Sequence, residues 1–319
     1  MLFEKQILNV YKGMMHTRCD DTETVFYFSA DDFDGLRKES FSFNAAKGHT
    51  LQGYIYSYPD PLPRRLVVFD HGFGGGHRAY MKEIEMLCRR GYTVLSYDHT
   101  GCMESGGDSP NGMAQSLCDL NDCLNAIKSD SRFAGFDISV MGHSWGGFST
   151  LNVSALHPEI SHVVVLSGFV SVKELVDSFF SGALKGYRKA IMKLERESNP
   201  EFAEYNAVES LKSSKAKALL IYSEDDQLVK RRHFDLLSEG LSDRANTEFL
   251  LVSGKGHNPN YTEEAVKQLG AFSAARAKLI KNKKASEEDK KNFVASFDWK
   301  AMTEQDEKIW EKIFEHLEK

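Results

Sequence analysis

The 319-residue sequence contains no apolar run that approaches the ~20 residues needed for a helix to cross a bilayer. Its first ten residues lack the basic start, apolar run and small-residue cleavage site of a signal peptide. The five cysteines form no Cys-x-x-Cys pair and leave one over, which is typical of reduced thiols. We therefore expect a cytoplasmic protein without an integral membrane segment.

The sequence also lacks the residue patterns that hold metals or nucleotides. No cluster of His, Cys and Asp has the spacing of metal ligands. Residues 72–77 read Gly-Phe-Gly-Gly-Gly-His, so His77 stands where the dinucleotide motif Gly-x-Gly-x-x-Gly needs its last glycine. A phosphate-binding Gly-x-x-x-x-Gly-Lys-Ser/Thr motif does not occur either. We expect neither a metal nor a cofactor.

A strong positive charge is absent as well. The formal net charge is -6, which gives no general attraction to nucleic acid or to anionic lipid. The basic run over residues 276–284 is followed at once by the acidic residues 287–289, a pattern typical of a solvated helix face. Nucleic acid is therefore not an expected partner.

From Ser40 onward, short apolar runs alternate with amphipathic segments. The spacing predicts a hairpin over 40–56 and helices over 80–90 and 113–128. The predicted strands that follow the hairpin are 66–69, 92–97, 138–141, 163–166, 219–222 and 248–252. This alternation predicts an α/β fold with a mostly parallel central sheet and helices on both faces.

The two ends of the chain lie outside this alternation. Residues 1–38 are the least readable part, although the apolar residues between 3 and 11 have roughly helical spacing and 25–28 suggest a strand. An apolar stripe over residues 309–317 predicts a helix docked on the domain.

Four candidate site positions, Gly72, Ser144, Asp226 and His257, directly follow predicted strands. Ligands of parallel sheets bind beyond the carboxyl ends of the strands, so these positions should meet at one rim. Residues 142–146 have the pattern Gly-x-Ser-x-Gly, in which two glycines let a strand turn straight into a helix and expose the serine. A serine hydroxyl attacks only when a base takes its proton and an acid orients that base. The order serine, acid, histidine therefore predicts a catalytic triad.

The candidate base is His257, which follows the last predicted strand in a loop containing two glycines. The acid must come from Glu224, Asp225 or Asp226, because all three follow one strand and only one can accept from the histidine ring. Asp226 is favoured and Asp225 comes next.

Backbone N–H groups should bind the oxyanion formed during such a reaction. The residue after the nucleophile, Trp145, would supply one, and Phe73 would supply the other. Residues 169–211 interrupt the alternation and look entirely helical, either as a helix packed on the core or as a cap whose apolar face lines an acyl pocket. The candidate substrate contacts are His77, His99, Phe179, Phe180 and Tyr187.

These motifs together resemble the α/β-hydrolase superfamily over about residues 40–275, most closely its capped esterases, monoglyceride-lipase-like enzymes and serine-aminopeptidase-like hydrolases. The resemblance implies an α/β-hydrolase core formed by 1–168 and 212–319, with a small helical cap insertion at 169–211. Residues 1–38 would then be an N-terminal extension and about 280–319 a helical tail. Ser223 replaces the family's usual glycine three positions before the acid, which leaves the choice between Asp225 and Asp226 open.

The resemblance further implies a serine hydrolase that cleaves carboxylic esters of small or medium acyl groups through an acyl-enzyme, with a small-molecule acyl substrate. A peptidase, an amidase or an acyltransferase would use the same residues. An aminopeptidase would also need acids in the cap to hold a free amine, and four glutamates are available there: Glu195, Glu197, Glu201 and Glu204. A ligand-binding protein without turnover is the alternative from another class.

Overall fold

The computed structural model describes residues 3–319 and contains, within them, one eight-stranded sheet. The strands are β1 (Arg37–Asn44), β2 (Thr50–Ser57), β3 (Arg65–Asp70), β4 (Thr93–Tyr97), β5 (Asp137–His143), β6 (Ile160–Leu166), β7 (Lys217–Ser223) and β8 (Thr247–Val252). Their order across the sheet is β1-β2-β4-β3-β5-β6-β7-β8. Only the pairs β1–β2 and β2–β4 are antiparallel, which confirms the predicted hairpin and mostly parallel sheet.

The register brings the carboxyl ends of the parallel strands to one level. Asp70 at the end of β3 pairs with Gly142 in β5, and Ser223 at the end of β7 pairs with Val252 in β8. The loops that follow β3, β5, β7 and β8 therefore leave the sheet along one rim.

The helices of the described residues have the following bounds: α1 (Glu4–Met15), α2 (Met81–Arg89), α3 (Gln115–Ser129), α4 (Trp145–Val153), α5 (Val172–Phe179), α6 (Arg188–Ser198), α7 (Ala207–Ser213), α8 (Arg232–Gly240), α9 (Glu263–Lys281), α10 (Glu287–Ala295), α11 (Trp299–Met302) and α12 (Glu307–Leu317). Short 3-10 turns occupy Ala30–Asp32, His77–Tyr80, Ser131–Phe133 and Gly182–Tyr187.

Helices cover both faces of the sheet because neighbouring strand residues point to opposite sides. In β5, Val140 joins a buried cluster with α3, α4, α7 and α8, whereas Met141 joins another with α2 and α12. The stripe predicted over 309–317 is confirmed as a docked helix, since Ile309, Trp310 and Ile313 are buried.

Two segments that precede and follow the sheet pack against each other. Residues 25–28 form no strand, contrary to the sequence-based expectation, because Phe26 instead packs against Trp299 of α11 and Phe28 packs against Phe26 and Phe33. Phe26 lies 6.0 Å from Trp299 between ring centroids. Arg276 of α9 forms an ion pair with Asp21, and its Nε donates to Thr24 Oγ1 at 2.8 Å.

The helical segment predicted over 169–211 contains α5, the turn Gly182–Tyr187, α6 and α7. Its residue Ala207 packs in the core with α4, while Phe179 at the end of α5 is 48% exposed. The segment therefore combines a buried end with an apolar surface near the rim.

Candidate active site

Ser144 occupies the sharp turn between β5 and α4, with φ +56° and ψ -107°. Positive φ is uncommon for a residue other than glycine and is costly without support from neighbours. A Cβ on Gly142 would lie 2.3 Å from the Gly146 carbonyl oxygen, and one on Gly146 would lie 2.1 Å from that of Asp70. Both glycines are therefore needed for this turn, as the sequence pattern predicts.

The side chains of Ser144, His257 and Asp226 form a continuous hydrogen-bonded row. His257 Nε2 lies 2.8 Å from Ser144 Oγ, and His257 Nδ1 lies 2.7 Å from Asp226 Oδ2. The other carboxylate oxygen of Asp226 accepts from the backbone N–H groups of Leu228 at 2.8 Å and Val229 at 3.0 Å. Because the carboxylate is buried and held at both oxygens, it can orient the imidazole toward the serine.

Asp225 has a different set of partners. It accepts from Ser223 Oγ at 2.5 Å and from the backbone N–H groups of Gly254 at 3.1 Å and Gly256 at 3.2 Å. The hydrogen bond from Ser223 lowers the pKa of the Asp225 carboxyl below its usual range. Asp225 and Ser223 thus order the loop before His257, which gives the serine at the family's glycine position a structural role.

The two residues proposed to donate to the oxyanion, Phe73 and Trp145, are neighbours beside Ser144. The rings of Phe73 and Trp145 make an edge contact with centroids 5.2 Å apart, and both residues line the cavity. Trp145 is the first residue of α4, so its backbone N–H has no intrahelical acceptor. Its indole Nε1 donates to the Met113 carbonyl at 2.6 Å, which fixes the side chain. The positive end of α4 also favours negative charge at this point.

His71 shapes the loop that carries Phe73. The ring is fully buried, and its Nδ1 donates to the Gly72 carbonyl at 2.8 Å, so its Nε2 accepts from the His99 backbone N–H at 2.9 Å. Burial lowers the pKa of His71 to about 3, with the neighbouring His99 acting in the same direction. A neutral ring is consistent with one donating and one accepting nitrogen.

A tyrosine that the sequence reasoning missed connects three loops of the site. His143 Nε2 donates to the His257 carbonyl at 2.8 Å, so its Nδ1 must accept from Tyr80 Oη at 2.7 Å in the neutral ring. Burial lowers the pKa of His143 to about 3, which keeps this ring neutral. Tyr80 Oη in turn accepts from the Gly72 backbone N–H at 3.1 Å. The Tyr80 hydroxyl thus joins the loop after β3 to the end of β5, and the His143 ring extends this link to the loop after β8.

Replacing Tyr80 with phenylalanine is expected to lower kcat by about 10- to 100-fold, because small displacements of reacting groups are costly and two buried groups would lose partners. KM for a p-nitrophenyl ester should change less than about twofold, since the ring that lines the cavity remains. The matched control is Tyr92→Phe, because Tyr92 does not line the catalytic cavity and its buried hydroxyl has no hydrogen-bond partner among the described residues. A rise in KM with unchanged kcat would contradict this positioning role.

His77 and His99 do not reach the rim, which corrects the expectation that they contact substrate. Both side chains are fully buried. His77 Nδ1 lies 2.7 Å from Asp98 Oδ1, and its Nε2 shares a hydrogen bond with the Tyr56 hydroxyl at 2.9 Å. Each imidazole is held by a buried carboxylate. His77 and His99 therefore have a structural role in the core beneath the site.

His99 lies between two buried carboxylates. Its Nδ1 is 3.1 Å from Asp119 Oδ2, and its Nε2 is 3.1 Å from Asp70 Oδ1. Burial alone would lower the pKa of His99, but the charges of Asp70 and Asp119 raise it to about 10. The imidazole is therefore positively charged at neutral pH.

The cavity beside Ser144 has a volume of about 250 Å³ and is mostly apolar; we call it the catalytic cavity. Of the predicted substrate contacts, Phe179 lines it, whereas Phe180 lines only a neighbouring cavity and Tyr187 lines neither. Leu175, on the apolar face predicted for the cap, lines the cavity too, and the lining residues that sequence reasoning missed are Met14, Tyr80, Met113, Phe169, Leu228 and Val229. Met14 belongs to α1, far from the motifs in sequence.

Over residues 3–319, no group of three or more His, Cys, Asp or Glu side chains is placed to hold a metal ion. In the same range no helix has both the length and the apolar character required to cross a membrane.

Comparison with known proteins places this geometry in a family. The family model described as serine aminopeptidase, S33, matches residues 61–230, more than half of the chain. YqkD, an uncharacterized protein of Bacillus subtilis (strain 168), is 25% identical over 161 residues, or 49% of this chain and 50% of YqkD. The human acylamino-acid-releasing enzyme is 30% identical over 112 residues, which cover 32% of this chain and 15% of that enzyme. The chain thus spans about half the length of YqkD and less of the human enzyme.

The Pyrococcus furiosus esterase Pf2001 is similar in structure, with a TM-score of 0.60 at 19% identity over 83% of this chain and 97% of that chain. Together with the eight-stranded sheet, this likeness establishes the α/β-hydrolase fold. The matched residues include the turn at Ser144 and the acidic residues after β7. The chain therefore belongs to the serine aminopeptidase S33 family of the α/β-hydrolase superfamily.

Proposed function

We propose that this serine hydrolase cleaves carboxylic esters of small or medium apolar acyl groups, with Ser144 as nucleophile, His257 as base and Asp226 as the acid. The observation that carries the proposal is the hydrogen-bonded row of these three side chains at an apolar cavity. An aromatic and aliphatic lining favours an apolar acyl group over a charged one.

In the proposed reaction, His257 takes the Ser144 proton while the serine oxygen attacks the ester carbonyl. The backbone N–H groups of Phe73 and Trp145 bind the resulting oxyanion. As the carbon–oxygen bond to the alcohol breaks, His257 gives its proton to the departing alcohol and an acyl-enzyme remains. Water, deprotonated by His257, then attacks the acyl-enzyme, and the proton returns to Ser144 as the carboxylic acid leaves.

The positions of the cap glutamates support an ester substrate over a free aminoacyl one. Glu195 is buried and accepts from the Tyr11 hydroxyl and, at 2.8 Å, from the Met113 backbone N–H. Glu197, Glu201 and Glu204 do not line the catalytic cavity. Binding of a free α-amino group normally requires a carboxylate within reach, and none lines this cavity among the described residues.

The test is the intact mass of the protein after treatment with a fluorophosphonate, which reacts with activated serines and needs no known substrate. We expect one adduct on the wild type and none on Ser144→Ala. The matched control is Ser154→Ala, because this buried hydroxyl lies just after α4 and has no hydrogen-bond partner within residues 3–319. It should be labelled like the wild type.

A panel of substrates then separates the reaction classes. We expect hydrolysis of p-nitrophenyl butyrate to exceed that of aminoacyl p-nitroanilides in kcat/KM. Faster cleavage of the anilides would assign the site to a peptidase. A folded wild type that gives no adduct and no turnover would favour a ligand-binding protein.

A further inference from the structure

A second apolar cavity of about 310 Å³ adjoins the catalytic cavity; we call it the distal cavity. Four residues line both cavities: Met14, Met113, Leu175 and Phe179. Because these side chains line both, the two cavities adjoin at this point; we call the two cavities together the groove, and Ser144 lies in its catalytic part. The groove continues beneath the exposed end of α5.

One side of the distal cavity is formed by α1, which precedes the segment matched by the family model. Ile7, Val10 and Met14 lie at helical spacing on the face that lines it. The opposite side comes from α5 and from Leu184 in the 3-10 turn that follows. The distal cavity is therefore built from a helix that precedes the first strand and from the segment between β6 and β7.

The helix α1 is held in place by buried contacts near its C-terminal end. The Tyr11 hydroxyl donates to the buried carboxylate of Glu195 in α6. The carbonyl of Met15, a fully buried residue, accepts from the Asn111 backbone N–H at 2.9 Å. These contacts fix the position of α1 relative to the cap, so the width of the groove is set by the fold.

Exposed apolar side chains are concentrated along this groove. Val10 is 66% exposed, Met14 56% and Phe179 48%, and Leu184 and Leu228 are exposed as well. All five line one or both cavities. A ligand that covers them would remove apolar surface from water and gain free energy in proportion to the area.

We propose that α1 and α5 form a binding chamber for the distal part of an unbranched acyl chain whose carbonyl carbon is bound at Ser144. This inference rests on the proposed function, which supplies the ester and the position of its carbonyl. The occupant is an uncharged hydrocarbon chain, because no acidic or basic side chain lines the distal cavity among the described residues. Among the described residues, Tyr11 carries the only polar side-chain group that lines this cavity, and its hydroxyl is bound to Glu195.

The length of α1 gives an approximate length for the acyl chain that the groove can hold. Ile7 and Met14 are separated by about 10 Å along the helix axis, at 1.5 Å per residue. An extended chain advances roughly 1.2 Å per bond, the value of an extended backbone, so about eight bonds run beside α1. With the first few carbons in the catalytic cavity, chains of about 12 carbons fill the groove. We expect kcat/KM to rise with chain length by up to about fourfold per methylene until that length.

The test compares p-nitrophenyl dodecanoate with p-nitrophenyl butyrate. Val10→Trp narrows the distal cavity from α1 and Leu184→Trp narrows it from the opposite side. We expect each to lower the ratio of kcat/KM for dodecanoate to that for butyrate by at least tenfold. The matched control is Asn9→Trp, an exposed position on α1 that lines neither cavity. It should leave the ratio unchanged.

Binding without turnover separates failure of this inference from failure of the proposed function. In the Ser144→Ala background, calorimetry should detect dodecanoate binding, and Val10→Trp should weaken it at least tenfold while Asn9→Trp does not. This result would support the chamber even if no ester were hydrolysed. If Val10→Trp and Leu184→Trp both left the dodecanoate-to-butyrate ratio of kcat/KM and the binding of dodecanoate unchanged, the inference would be overturned. Dimerisation of the wild type that Val10→Trp abolishes, with an unchanged ratio, would assign the groove to a second copy of the chain instead.

Discussion

Asp226→Asn should lower kcat for p-nitrophenyl butyrate by about 10⁴-fold, the loss expected when the acid of a serine–histidine pair becomes an amide. The asparagine amide can present an N–H group to His257 Nδ1, which favours the tautomer with its proton on Nε2. That proton would face Ser144 Oγ, where the histidine must accept instead. The side chains of the site would keep their positions, but His257 could no longer accept the Ser144 proton.

The matched control is Asp225→Asn, an identical change at the adjacent residue. An asparagine oxygen can still accept from the Gly254 or Gly256 backbone N–H, so the loop before His257 should keep most of its order. We expect a loss of less than about tenfold in kcat, the scale of one weakened hydrogen bond. Equal losses in the two variants would exclude Asp226 as the acid.

Replacement of His99 by leucine should lower the free energy of unfolding by about 3–5 kcal/mol at neutral pH, the typical cost of removing one partner from a buried ion pair. The change leaves the carboxylates of Asp70 and Asp119 in the core without their shared cation. Urea denaturation measures this difference. The matched control is His162→Leu, because His162 is buried but its Nε2 has no hydrogen-bond partner, and burial lowers its pKa to about 4.

The same cluster should give the stability a dependence on pH. Because the folded pKa of His99 is raised to about 10, above its ordinary value of 6.5, the folded state binds the proton more tightly. This contribution is fully present below about pH 6.5 and is lost as the pH rises toward 10, by about 1.4 kcal/mol per pH unit. The difference in unfolding free energy between wild type and His99→Leu should therefore shrink from pH 7 to pH 10. A constant difference would contradict a charged His99.

The strands and the rim were predictable because their signals are local. Apolar runs identify buried strands, and the carboxyl ends of parallel strands must meet, so Ser144 and His257 could be placed together from sequence. The glycines at 142 and 146 indicate the turn because their backbone neighbours leave no room for a Cβ. Each of these inferences needs only the residue and its immediate neighbours.

The remaining features depend on contacts between distant residues. Nothing near His99 in sequence indicates that Asp70 and Asp119 would enclose it, so its polar ring suggested exposure. Tyr80 looked like the first residue of a helix, and its role follows only from its distance to His143 and Gly72. Residues 25–28 are the β-branched and aromatic types common in strands, but Trp299 of α11 packs on Phe26 and offers it a different partner.

The two segments that flank the family match contact each other and can change in sequence together. Residues around Asp21 and Arg276 meet outside the family match, and the same N-terminal segment continues back into α1. Exchange of these flanks between relatives would reshape the far end of the groove while every strand and the serine turn stayed as they are. Under the proposed function, the part of the chain that sets the substrate length is therefore separate from the part that carries the catalytic residues.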